Sequence, residues 1–309
     1  MKNIHRYLPQ LLMLLSSAFW GASFIFTKGL FLNEVYITPT IILVGRMLIA
    51  SLFTFPILML TGQLETIEKK HIKFFLLLAF TEPFLYSICE TSGIKFVSGS
   101  LASIIIATIP LFIPFAMAMV YKERIRVAAV VGVALSLGGI VLMSLNDDFS
   151  FTANPVGLLL LAAAVLIAVV YTLILVKVLH HYKPFTITAY QNLIALFYFI
   201  PLMLIFDAPN LGKLSYSPQM LLMLGFLGIF CSTVAYMCYN YGMRRLGATA
   251  ASVYNNVIPV FSLLLALAIG QERLSVLKVA GMAVVLVGLT IAQRKPQKEV
   301  QQELPVEEK

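Results

Sequence analysis

Residues 121–143, YKERIRVAAVVGVALSLGGIVLM, recur 149 positions later as residues 270–292, GQERLSVLKVAGMAVVLVGLTIA. The residues that occupy the same places in both copies include Glu123 and Glu272, Arg124 and Arg273, Val127 and Val276, Gly132 and Gly281, and Gly139 and Gly288. The same offset places Pro110 on Pro259. Each half of the chain holds five long apolar stretches, so the repeat has an odd number of predicted crossings. The two halves are therefore predicted to lie in opposite orientations across a membrane.

The composition is typical of a membrane protein, because 60% of the residues are apolar and only 12% are charged. A transmembrane helix needs about 20 mostly apolar residues. Ten stretches meet this requirement: 8–30, 38–60, 73–94, 98–120, 126–145, 155–177, 185–206, 218–242, 248–269 and 275–293. We predict an all-α polytopic membrane protein with ten transmembrane helices in two inverted five-helix repeats. The repeats cover residues 1–148 and 149–293, and a polar cytoplasmic tail, 294–309, is expected to be disordered.

The net charge of +8 is distributed unevenly between the two sides of the predicted bundle. With both termini on the cytoplasmic side, sixteen of the lysines and arginines fall inside and five outside. This asymmetry is the positive-inside pattern of membrane proteins. The basic residues therefore set the orientation, and they do not indicate a nucleic-acid partner. The three cysteines form no metal-binding or disulfide pattern.

Short motifs occupy matching places in the two halves. The first half carries Trp20-Gly21 with Phe24 and Lys28, then Arg46, then a run from Gly99 to Ser103 followed by Pro110 and Glu123-Arg124. The second half repeats this last part as residues 248–252, Pro259 and Glu272-Arg273. Together these motifs resemble the EamA family of the drug/metabolite transporter superfamily. The resemblance implies ten helices, cytoplasmic termini and export of metabolites or drugs, and it names no substrate.

Three charged residues lie deep within predicted spans, where a charged side chain is costly and is a candidate for function. Arg46 lies in the second span, and Glu82 and Glu90 lie in the third. Glu82, Tyr86 and Glu90 are spaced four residues apart, which places them on one face of a continuous helix. Because the second and third spans are antiparallel neighbours, Arg46 is predicted to pair with one of the two glutamates. The pair is either structural, or one carboxylate couples transport to protons or binds a substrate amine.

Aromatic and amide side chains complete the predicted site. Trp20 is the only tryptophan and lies near the middle of its span instead of at an interface. Tyr239 matches Glu90 under the 149-residue offset, which suggests that both face one cavity. The other candidates for binding or coupling are Phe24, Gln191, Tyr254, Asn255 and Asn256. At least one of the three consecutive polar residues 254–256 is expected to face a cavity.

Pro110 and Pro259 fall at matching positions in the fourth and ninth spans. Each removes a backbone hydrogen bond from its helix. Paired breaks in both repeats are typical of transporters that open alternately to the two sides of the membrane. These prolines are therefore candidate hinges, and the alternative for each proline taken alone is a static kink.

The sequence favours a secondary transporter that moves, and by family resemblance exports, a small organic solute such as an amino acid or a drug-like molecule. The expected location is a bacterial inner membrane, with membrane lipids and a small-molecule substrate as partners. Proton coupling, the oligomeric state and the substrate are left open. No nucleotide-binding motif is present, so ATP is not expected to drive transport directly. An ungated channel is an alternative, and an intramembrane enzyme is a weaker one, because no H-E-x-x-H or G-x-S-x-G motif is present. No catalytic residue, metal or cofactor is predicted.

Overall fold

The chain folds into long helices that are joined by short turns. The computed structural model describes residues 2–121, 127–145, 153–247, 251, 254–272 and 275–293. The helices are α1 Lys2–Asn33, α2 Pro39–Leu60, α3 Ile72–Ala79, α4 Tyr86–Phe96, α5 Gly99–Ile106, α6 Ile109–Tyr121, α7 Val127–Met143, α8 Pro155–Leu179, α9 Pro184–Phe206, α10 Ala208–Leu211, α11 Pro218–Phe226, α12 Ala235–Leu246, α13 Ile258–Ala268 and α14 Val276–Gln293. The predicted tail, 294–309, and the Glu123-Arg124 motif lie outside the described residues.

Several helices begin with a polar cap followed by proline. The side chains of Thr38, Asn154 and Ser217 each accept a hydrogen bond from a backbone N–H in the first turn of α2, α8 and α11. In all three helices the next residue is proline. The fixed φ of proline suits the first helical position. A backbone N–H at that position would have no hydrogen-bond acceptor within the helix, so its absence costs nothing. The sequence therefore sets the starts of these helices locally.

Six helical segments are long and apolar enough to cross a membrane: Tyr7–Asn33, Pro39–Leu60, Lys69–Phe96, Pro155–Leu179, Pro184–Phe206 and Pro218–Leu246. Four further apolar helices are shorter: Gly99–Ile113, Val130–Met143, Tyr254–Ala268 and Val276–Ile291. Large apolar side chains such as Leu52, Ile205 and Leu222 are exposed on the outer surface. In a membrane this surface faces lipid tails, so its apolar side chains do not have to be buried against other parts of the protein. The structure therefore supports an all-helical, multi-pass membrane protein.

Two of the long segments are interrupted by π-helical turns. The first turn spans Phe80–Leu85 and lies between α3 and α4. The second spans Leu227–Val234 and lies between α11 and α12. Shifted by the 149 residues of the sequence repeat, the first turn falls on residues 229–234, inside the second. Such π turns inside helices are frequently found at functional sites.

Helices α7 and α14 pack against each other through glycine. The Gly139 backbone approaches that of Gly281, so that a Cβ at Gly139 would lie 2.6 Å from the Gly281 carbonyl oxygen. Gly288 approaches Gly132 in the same way, at 2.7 Å. Gly288 is the repeat equivalent of Gly139, and Gly281 is that of Gly132. The 149-residue offset therefore converts one contact into the other. Small residues of this kind allow the close backbone contact on which membrane helices depend.

Gly139→Ala is expected to destabilise the protein, whereas Gly138→Ala is not. A methyl group at Gly139 would clash with backbone atoms of α14, and overpacking of this kind costs about 1–3 kcal/mol. At the adjacent Gly138, an added Cβ meets no atom within 4 Å. The melting temperature of both variants in detergent tests this prediction. Equal melting temperatures would show that the glycine contact between α7 and α14 does not limit stability.

Candidate functional site

A cavity lies at the centre of the bundle between the first and second halves of the chain. Its walls come from α1, α2, the first π turn, α4, the junction of α5 and α6, α8, α12, the 3₁₀ turn Tyr254–Val257 and the start of α13. Eight of the predicted site residues line it: Trp20, Phe24, Arg46, Glu82, Tyr86, Glu90, Tyr239 and Asn255. The fold therefore brings together residues that are more than 200 positions apart in the sequence.

Glu82 lies where the third predicted span departs from a regular helix. The prediction that Glu82, Tyr86 and Glu90 share one face of a continuous helix is wrong, because the Glu82 backbone is extended, with φ −143° and ψ 122°. The residue before a proline is restricted to extended backbone, and Pro83 has no N–H for a helical hydrogen bond. The break does not separate the three side chains, which all line the cavity.

Arg46 contacts neither glutamate, so the predicted Arg–Glu pair is wrong for this conformation. The ion pairs within 4.0 Å among the described residues are Lys70–Glu68 and Lys278–Glu272. Arg46 Nε donates to Ser232 Oγ at 3.1 Å, and this bond orients the guanidinium group. Arg46 and both glutamates nevertheless line the same cavity.

Each buried glutamate accepts a hydrogen bond from a tyrosine instead. The Tyr86 hydroxyl donates to Glu90 Oε1 at 2.7 Å, one turn away on the same helix. The Tyr236 hydroxyl donates to Glu82 Oε1, which links the two halves of the chain. A buried carboxyl group is stable only with such partners, because isolated burial of its charge is costly. Glu90 is thus hydrogen-bonded to a residue of its own helix, whereas Glu82 is hydrogen-bonded to a residue of the other half of the chain.

Trp20 forms an aromatic wall with two tyrosines of α12. Its ring centroid lies 5.0 Å from that of Tyr236 and 4.9 Å from that of Tyr239. The indole Nε1 donates to the Cys231 carbonyl oxygen at 3.2 Å, inside the second π turn. This bond satisfies the indole N–H and fixes the ring at the cavity edge. The wall offers a flat apolar surface beside the carboxyl groups.

Gln191 supports the site from a neighbouring position. Its Nε2 donates to the Glu82 carbonyl oxygen at 2.9 Å and to the Tyr171 hydroxyl at 3.3 Å. The backbone at Glu82 has left the helical pattern, and a carbonyl group at such a break requires a donor from elsewhere. Gln191 lines a small adjoining pocket with Arg46 and Tyr236, and not the central cavity itself.

The polar run 254–256 contributes unequally to the cavity. Asn255 is buried and lines it. Tyr254 and Asn256 do not, and the backbone oxygen of Tyr254 accepts a hydrogen bond from Ser17 at 2.8 Å. The 3₁₀ turn Tyr254–Val257 turns consecutive side chains in different directions. One of the three therefore reaches the cavity.

The two predicted hinge prolines stand at the starts of helices. Pro110 is the second residue of α6, after a break at residues 107–108, and Pro259 is the second residue of α13. From the sequence, each proline was predicted to remove a backbone hydrogen bond from the inside of a continuous helix. The helices are instead already interrupted at both places, so each missing N–H falls in a first turn. The two helix breaks lie at matching positions in the two halves, as the sequence predicted.

Several further polar residues contribute to this region and were not among the predicted site residues. Ser23, Tyr171, Thr172 and Tyr236 line the cavity, and Ser232 binds Arg46. Tyr236 carries a sequence signal, because it lies three residues before Tyr239 on the same helical face. Ser232 carries none, since its orientation depends on a π turn that contains no proline.

The cavity is narrow in this conformation. About 80 Å³ is open to the centres of water-sized molecules. One water needs roughly 10–15 Å³ by this measure, so the cavity has room for several waters. A solute the size of an amino acid requires the surrounding side chains or helices to move.

A multi-pass helical bundle with charged residues around a buried central cavity defines the class of membrane transporters. The profile of the EamA-like transporter family matches residues 8–145 and again residues 155–293. The chain belongs to the EamA-like transporter family.

Similar proteins agree with this assignment. An uncharacterized transporter of Archaeoglobus fulgidus is 28% identical over 92% of this chain and 98% of its own length. The uncharacterized transporter YetK of Bacillus subtilis is 25% identical over 80% of this chain and 76% of its own length. A solved crystal structure has the same fold, with a TM-score of 0.67 at 19% identity, over 92% of this chain and 95% of that one.

Proposed function

We propose that this transporter moves a small organic solute by alternating access through the central cavity. The observation that carries the proposal is the buried group of Arg46, Glu82 and Glu90, which line one cavity between the two halves of the chain. Ionisable residues inside a bundle mark substrate or ion pathways. The substrate is proposed to be an amino acid or a drug-like metabolite, and the direction of net flux to be export.

The proposed architecture consists of two inverted five-helix repeats, residues 1–148 and 149–293, that make ten crossings. Three observations support it. The family profile matches twice, the glycine contacts of α7 and α14 exchange under the repeat offset, and the two π turns fall at equivalent positions. Inverted repeats allow two conformations of similar energy that open to opposite sides. Pro110 and Pro259 are the proposed hinges of this change.

The proposed roles of the site residues follow from their partners. Glu82 is the candidate for proton coupling, because it joins a break in one half to Tyr236 of the other. Glu90 and Asn255 are candidates for binding a substrate amine, and Arg46 for binding a substrate carboxylate. Trp20, Phe24, Tyr86 and Tyr239 would contact apolar or ring groups. Gln191, Tyr254 and Asn256 are proposed to support these residues.

We propose a bacterial inner membrane as the location, with both chain termini in the cytoplasm. The excess of lysine and arginine on one side of the predicted bundle supports this orientation. Cysteine labelling from each side of the membrane would test it. Labelling of a cysteine introduced at Lys213 from the cytoplasmic side would contradict the proposed orientation.

Flux into proteoliposomes tests the proposed function. The purified protein is presented with labelled amino acids, nucleobases and cationic drugs, with and without an imposed pH gradient. We expect saturable uptake of one class, and accumulation of that class when the gradient is imposed. Protein-free liposomes are the control. Uptake that rises linearly with concentration would indicate a channel, and no uptake of any class would contradict the proposed substrates.

A further inference from the structure

A second cavity lies away from the central one, where α3 begins and α8 ends. By the same measure it is larger, about 390 Å³ against about 80 Å³, and within the usual range of small-molecule sites. Six of its lining residues are polar or aromatic: His71, Phe74, Lys177, His180, His181 and Tyr182. The central cavity and this one share no lining residue. It therefore requires an explanation of its own.

The lining of this second cavity favours an anionic occupant. It includes one lysine and three histidines and no acidic residue. Glu68, on which His71 and His181 exert only a minor electrostatic effect, is exposed and already paired with Lys70 at 2.7 Å. Among the described residues, no set of three histidine, cysteine or acidic side chains is arranged to hold a metal ion. The available chemistry is that of cationic and N–H donor groups facing an open volume.

Two of the three histidines of this cavity, His71 and His181, are held in place by the fold. The His71 and His181 rings are stacked, with centroids 4.9 Å apart and planes at 27°. His71 Nδ1 lies 2.8 Å from the Tyr182 hydroxyl, which also accepts the Glu68 backbone N–H at 3.1 Å. When the hydroxyl donates its hydrogen to Nδ1, the hydrogen of His71 is on Nε2. Within the described part of the chain Nε2 then makes no hydrogen bond, so its N–H is available to a ligand.

The position of the cavity suits a phosphate group near a membrane surface. Lys177 lies in the last turn of α8, one of the helices long enough to cross a membrane. The adjacent α3 exposes Ile72, Leu76 and Leu77 on its outer surface. Basic pockets between helices at the cytoplasmic ends of their spans bind the headgroups of anionic lipids. Here the basic lining of the second cavity lies next to the exposed apolar surface of α3.

We propose that this cavity binds a phosphate group, carried either by an anionic phospholipid or by a soluble phosphate. The Lys177 ammonium and the His71 and His181 rings supply the cationic and N–H contacts. Phe74 closes one wall. The bound phosphate would join the start of α3 to the turn between α8 and α9. The site is independent of substrate transport through the central cavity.

Two binding measurements on the purified full-length protein test this site and separate its two sources of phosphate. Equilibrium dialysis with labelled inorganic phosphate measures binding of the free ion, at constant ionic strength. Native mass spectrometry counts retained phosphatidylglycerol against phosphatidylcholine. We expect binding in at least one of the two. Phosphate binding alone would assign a soluble ligand, and selective phosphatidylglycerol retention alone would assign a lipid headgroup.

Variants show whether binding occurs in this cavity. Lys177→Gln and the double variant His71→Gln/His181→Gln are each expected to weaken binding at least ~10-fold, a loss of about 1.4 kcal/mol. Lys213→Gln, an exposed lysine outside this cavity, is the matched control. Lys177 is itself exposed, so its replacement does not remove core packing. Unchanged binding in Lys177→Gln, or no binding of either ligand to the native protein, would overturn the proposal.

Discussion

Replacing Glu82 with glutamine is expected to abolish accumulation of substrate driven by a pH gradient, while exchange of substrate across the membrane continues. Glutamine keeps the shape of the side chain and can still accept the hydrogen bond from Tyr236. It cannot bind and release a proton. If Glu82 couples flux to protons, only the gradient-driven step is lost, by at least ~10-fold, which corresponds to about 1.4 kcal/mol. Counterflow exchange and gradient-driven uptake, measured on the same proteoliposomes, separate the two steps.

Glu90→Gln and Glu68→Gln are the comparisons for this experiment. Glu90 is held by Tyr86 within its own helix, so its replacement is expected to weaken substrate binding and to leave the coupling step in place. Glu68 is an exposed glutamate outside the cavity and controls for the substitution itself. Equal loss of exchange and accumulation in Glu82→Gln would show that Glu82 binds substrate. Full gradient-driven accumulation in both Glu82→Gln and Glu90→Gln would exclude proton coupling through either residue.

The helical, multi-pass fold was predictable because the information is local. An apolar stretch of about 20 residues indicates a span wherever it occurs. Polar caps followed by proline, such as Thr38-Pro39 and Asn154-Pro155, mark helix starts directly in the sequence. The repeat also made it possible to place Tyr239 beside Glu90 around one cavity, since equivalent positions in two halves are expected to face a common axis.

The internal contacts of the site were not predictable from spacing alone. The regular i, i+4 pattern of Glu82, Tyr86 and Glu90 hides the break that Pro83 imposes on the backbone. The Arg–Glu pair was inferred from opposite charges on neighbouring helices. Hydrogen bonds from Tyr236 and Tyr86 occupy the carboxyl groups instead, and hydroxyl donors are too common in such a sequence to single out beforehand. Contacts of this kind depend on the rotation of each helix, which composition does not determine.

Arg46→Met is expected to reduce transport strongly, whereas Ser232→Ala is expected to reduce it only moderately. Arg46 is the one lysine or arginine among the residues that line the central cavity, and it is buried. Removing it takes away the proposed partner of a substrate carboxylate, and a hydrogen bond to a charged group contributes about 1.5–3 kcal/mol. Because each 1.4 kcal/mol corresponds to a factor of ten, the rate at low substrate concentration is expected to fall by at least ~10-fold.

The comparison with Ser232→Ala separates the charge of Arg46 from its position. Ser232 accepts the hydrogen bond from Arg46 Nε at 3.1 Å, so alanine frees the guanidinium group but keeps its charge. If the charge itself binds a substrate carboxylate, Ser232→Ala retains uptake, and Arg46→Lys recovers part of the activity that Arg46→Met loses. Initial rates of exchange at saturating and at low substrate concentration measure both effects, and melting temperatures identify variants that fail to fold. Equal rates in Ser232→Ala and Arg46→Met would show that Arg46 only positions the second π turn, because the charge would then make no separate contribution.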